Sequence, residues 1–211
     1  MNLKSLRRLF LFTVALAATG CGTTAPVVSV NRVTDHTEFK QTFARAYTTR
    51  DSAGDYQIVL IDDPLDLPTH EQPGAPLKQQ HAAPIRQILH IQMLWRPKQG
   101  TQPDSAAATN ASLHWYVIGD TTAGGPSFIH YAGTAFVAVI PNGPGVEATV
   151  KRGLLKKVDE RGQLKDPLEE FTLETKFDAV TDDAAARRII ADMKSAITES
   201  TVAQTGKPDH D

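Results

Sequence analysis

Alternating apolar and polar side chains dominate the second half of the chain and predict strands. Phe171, Leu173, Thr175 and Phe177 alternate with Glu170, Thr172, Glu174 and Lys176, the pattern of a strand with one wet face. Ile85, Gln87, Leu89, Ile91, Met93 and Trp95 share one face of a second alternating run, with Arg86, Ile88, His90, Gln92 and Leu94 on the other. Leu113, Trp115 and Val117 mark a third strand ending at Gly119. Phe128 to Ile140 is rich in β-branched and aromatic residues and reads as a long strand, closed by the turn signal "PNGPG" at Pro141–Gly145. Val146 to Val158 predicts a further strand, kinked at Gly153, before a hairpin turn at Asp159–Gly162. The continuous apolar run "YQIVLI" (Tyr56–Ile61) predicts a buried strand.

Two segments carry helical spacing instead. Phe39, Phe43, Ala46 and Tyr47 recur at intervals of three and four, which predicts a helix over Asp35–Arg50 capped by Thr34 or Asp35. Ala186, Ile189, Ile190, Met193 and Ile197 make the apolar stripe of a second helix over Asp182–Thr198, with Asp182 and Asp183 at its N-terminal end, where acids are favoured. Strands joined by short turns, with one helix before and one after, predict an α+β fold. The expectation is an antiparallel meander of about five to seven strands, with an N-terminal and a C-terminal helix packed on one face. The long Pro-rich stretch from Asp62 to Pro84 reads as a surface loop.

The N-terminus has a different character. Lys4, Arg7 and Arg8 precede an apolar run from Leu9 to Ala18, interrupted only by Thr13, and then Thr19, Gly20 and Cys21. A basic start, a short apolar stretch and small residues are the marks of a secretory signal peptide. The run of about ten residues is about half the length that spans a bilayer core. Ala18-Thr19-Gly20-Cys21 resembles the lipobox of bacterial lipoproteins, with Ala18 standing where Leu is usual. The resemblance implies cleavage before Cys21 and lipid attachment to its thiol. With Gly22 rather than Asp next, it implies the outer membrane, facing the periplasm, in a Gram-negative source. Arg7-Arg8-Leu9-Phe10-Leu11 also resembles the core of twin-arginine signals, departing from it at Leu6 and Phe12; the export route stays open.

The expected division is a signal peptide at 1–20, a flexible tether at 21–33 in which "VVSV" could start a strand, a single domain at 34–200 and a polar tail at 201–211. Removing the three basic residues of the leader leaves 19 basic against 24 acidic residues, a balance of −5. That lacks the basic footprint of a nucleic-acid binder. Cys21 is the single cysteine, so no disulfide forms within the chain.

Candidate chemistry is sparse. No Ser sits in a G-x-S-x-G elbow, and Asp62, Asp63 and Asp66 lack the spacing of a calcium loop. His90, His114 and His130 fall in three successive predicted strands, each on the less apolar side. If the strands pair in order, these imidazoles share a face, a grouping that binds zinc or a similar ion. The expectation is a membrane-anchored envelope lipoprotein in a non-catalytic binding or assembly role, needing no cofactor. Its partners would be the bilayer, through acylated Cys21, and an envelope protein or a glycan. The alternative is a metal-binding or metal-dependent protein using His90, His114 and His130.

Overall fold

The computed structural model describes residues 25–62, 85–97, 108–119, 127–162, 164 and 168–205. The predicted signal peptide, Cys21, most of the Pro-rich stretch and residues 206–211 lie outside them. The described residues form nine strands and one helix: β1 (Val27–Arg32), β2 (Glu38–Thr42), β3 (Arg45–Arg50), β4 (Tyr56–Asp62), β5 (Ile85–Met93), β6 (Ala111–Gly119), β7 (Ser127–Asn142), β8 (Gly145–Arg161), β9 (Glu170–Thr181) and α1 (Asp183–Thr205).

This corrects the expected α+β layer of five to seven strands with two helices. The sheet runs β2-β1-β9-β3-β4-β5-β6-β7-β8, and β8 also pairs with β9. The ring β3-β4-β5-β6-β7-β8-β9 therefore closes on itself as a barrel. One edge of β9 bonds β8 along most of its length, from Gly145↔Val180 to Lys156↔Glu170. Its other edge is divided. Residues 171–175 pair antiparallel with β1, and Val180 and Thr181 pair parallel with Tyr47 and Thr48 of β3.

The predicted first helix is absent, because Asp35–Arg50 holds β2 and β3. The chain there is one bent ribbon: Glu38–Thr42 pairs with β1, then Phe43 N–H bonds to Pro26 O at 2.8 Å and Ala44 N–H to Ile61 O at 3.0 Å. Phe39, Gln41 and Phe43 point inward at strand spacing, and after the bend Ala46 is inward again. Two period-2 strands joined by one irregular step thus imitated a helical interval. The aromatic and β-branched composition of "FARAYTT" suits a strand, and pairing on both flanks satisfies its backbone. The segment read as a tether to residue 33 likewise carries β1.

The inside of the barrel is filled. Trp115, Phe43, Tyr131 and Phe171 are all fully buried. Trp115 lies 5.6 Å from both Phe43 and Phe171, edge-on to the latter, and Tyr131 meets Phe171 edge-on at 5.2 Å. Such contacts add about 0.5–1.5 kcal/mol each beyond buried area. The long outer strands bend at bulges. The β7–β8 register shifts between Thr134 and Phe136, and the β8–β9 register shifts between Val150 and Gly153, where Arg152 takes a φ of 52°.

Helix α1 packs outside the ring. Ile189, Ile190 and Met193 cover Val59, Ile61, Ile88 and Tyr116 on the outer wall. Strand β4 is thus covered on both faces, which accounts for its unbroken apolar run. The helix starts one residue later than predicted and runs to Thr205. Asp182 caps it, its carboxylate accepting from Ala185 N–H at 2.9 Å, and the Thr49 hydroxyl donates to Asp183 at 2.6 Å.

Candidate functional site

The three predicted histidines stand on the outer wall, beside the patch covered by α1. The antiparallel registers place them. His90 of β5 lies directly opposite His114 of β6, and Tyr116 of β6 lies directly opposite His130 of β7. His114 faces Ala132, two residues from His130, so His114 and His130 are diagonal neighbours. Four rings form a ladder across three strands. Tyr116 stacks on His130 with centroids 4.2 Å apart, His114 and His130 are 5.3 Å apart, and His90 and His114 are 6.3 Å apart.

Burial differs along the ladder. His90 and Tyr116 are buried, whereas His114 and His130 are half-buried. Desolvation lowers all three histidine pKa values. That of His90 falls to about 4, helped by His114 and by Lys194 on α1, and that of His130 falls to about 4 against the opposing pull of Asp159. Burial also raises the Tyr116 phenol. At neutral pH each imidazole is therefore uncharged, with one N–H and one lone pair. His114 Nδ1 and His130 Nε2 are 3.0 Å apart, close enough for one to donate to the other. His90 Nε2 is buried and has no hydrogen-bond partner among the described residues.

The ladder brings His114 and His130 into direct contact and sets His90 alongside. Among the described residues, no three of His, Cys, Asp and Glu are grouped so that they could hold one ion. Among the described residues, no carboxylate or hydroxyl hydrogen-bonds any of the three histidines. Ser127 is buried, packed against Gly162. Cys21 lies outside the described residues. Tyr116 was missed from sequence, although its place two residues after His114 puts it on the same face.

A cavity of about 250 Å³ lies elsewhere, at the bend between β2 and β3, lined by Pro26, Ala44, Arg45, Tyr47 and Asp178 among others. The fold and site define a closed, internally packed barrel with a helix and a ring ladder on its outer wall. No known protein family, curated protein or solved structure matches the chain.

Proposed function

We propose that this chain is a lipid-anchored protein of the cell envelope whose barrel serves a non-catalytic binding or assembly role. The filled interior supports a role in which no small molecule is carried inside the barrel. A barrel that transports a small molecule keeps a lumen for it, and here Trp115, Tyr131, Phe43 and Phe171 occupy that space. Partners are then met by the outer wall and the loops. An envelope protein or a glycan suits that surface better than nucleic acid, given the balance of −5 counted from Cys21.

The wall has the wrong polarity for a barrel immersed in lipid. On β9 the outward residues Glu170, Thr172, Glu174 and Lys176 are exposed, while Phe171, Leu173 and Phe177 point in, and a membrane barrel shows the reverse. Attachment through acylated Cys21 supplies membrane association without immersion. In a Gram-negative cell it places the domain on the periplasmic side of the outer membrane.

Palmitate labelling with membrane fractionation tests the anchor. Wild-type chain is expected to label and pellet with outer membranes, and Cys21→Ser to lose label and become soluble. Unchanged membrane association of Cys21→Ser refutes the anchor. Cross-linking in intact cells tests the role, with a single specific envelope partner as the expected product.

A further inference from the structure

We infer that His114 and His130 form a two-imidazole site for a first-row transition-metal ion on the outer wall of the barrel. Nδ1 of His114 and Nε2 of His130 stand 3.0 Å apart. Two imidazole nitrogens bound to one ion at about 2.0–2.1 Å are separated by about 2.8–3.4 Å, for angles between square and tetrahedral. The strand register thus holds two donors at ligand-to-ligand spacing before any ion arrives.

Neighbouring rings flank the pair. Tyr116 stacks on His130 at an interplanar angle of 12°, and His90, opposite His114, closes the other end of the ladder. Both candidate ligands are half-buried, so an ion reaches them from solvent. The terminal torsion of histidine is broad. A turn of roughly 40° brings each nitrogen from facing the other to facing a common point about 2.0–2.1 Å from both. The proton that joined them moves to the far nitrogen of the ring that carried it, a change of tautomer with no net proton release. No third His, Cys, Asp or Glu converges there among the described residues, so water completes the coordination. Imidazole suits copper, nickel and zinc, and Cu²⁺ binds tightest in the usual order. The site rests on strand geometry and is independent of membrane anchoring.

The test titrates the full-length chain in detergent with CuCl₂, read by calorimetry and electron paramagnetic resonance. The expected result is one ion per chain, with superhyperfine lines from two imidazole nitrogens. His114→Gln and His130→Gln should each weaken binding at least tenfold, and His36→Gln should leave it unchanged. No binding by the wild type below millimolar Cu²⁺ overturns the site, and so does unchanged affinity in His114→Gln or His130→Gln. Should either variant fail to fold, ¹⁵N imidazole shifts of the wild type during Zn²⁺ titration decide. Shifts centred on His114 and His130 support the site, and shifts elsewhere only overturn it.

Discussion

Trp115 donates its indole N–H to the side-chain carbonyl of Gln87 at 3.2 Å, and both side chains are fully buried inside the barrel. The amide nitrogen of Gln87 has no hydrogen-bond partner among the described residues. The pair is therefore half satisfied, and its two members should respond unequally to removal. Trp115→Phe leaves the Gln87 carbonyl orphaned beside a void and is expected to cost about 2–3 kcal/mol. Gln87→Leu orphans the indole N–H but removes an amide already unsatisfied, and should cost about 1 kcal/mol or less. The double variant should lose less than the sum of the two, a coupling that urea denaturation of all four proteins measures directly.

Two glycines of the β7–β8 hairpin separate steric from conformational need. A Cβ on Gly133 would lie 1.8 Å from the carbonyl oxygen of Leu154, a backbone atom that cannot step aside. Gly133→Ala is expected to cost about 3 kcal/mol or to prevent folding. Gly143 has a φ of +53° with nothing near its Cβ direction, in the two-residue turn Gly143-Pro144. Gly143→Ala should cost about 1–2 kcal/mol, from backbone strain alone. Thermal melts of the two variants test the ranking.

His90 makes stability fall in acid. Its folded pKa is depressed to about 4 from 6.5, so the unfolded chain binds the proton more readily. Its neutral form costs nothing in linkage above about pH 6.5. Stability is then lost as pH falls from there toward 4, by at most about 1.4 kcal/mol per pH unit for this one group. His90→Phe, measured by urea denaturation with chelator present, should show a shallower loss between pH 6.5 and 4. A loss of the same steepness would show that His90 does not contribute.

Among the described side chains, Ile189, Ile190 and Met193 of the outer helix pack on the barrel. Met193 is buried at the α1–barrel contact, and Asp182 caps the first turn. Met193→Ala should cost about 2–3 kcal/mol and Asp182→Ala about 1 kcal/mol. Both should speed proteolysis within α1 more than within β6. Hydrogen exchange resolved by segment reads the difference.

The strands from β4 onward, the turn at Gly143-Pro144 and the C-terminal helix were legible because each carries a local pattern. The barrel was not, since closure depends on β9 dividing one edge between β1 and β3, which no local pattern encodes. Residues 35–50 misled because the bend at Phe43–Ala44 adds one step to a period of two. For the ladder, alternation put His90, His114 and His130 on one face. The contact between His114 and His130 needed the register, and a slip of one residue would have reversed it.

The shared strand β9 also sets the order of events in folding. It is the last strand made, yet it pairs with β1, as in Val28↔Thr175, and with β3 and β8. An emerging chain can form the β4–β7 hairpins early, but the ring stays open until β9 arrives. Contacts so distant in sequence make for slow folding. A chain that emerges N-terminus first therefore keeps its aromatic interior uncovered until β9 is in place. Its half-built sheet needs a chaperone or rapid completion to escape aggregation.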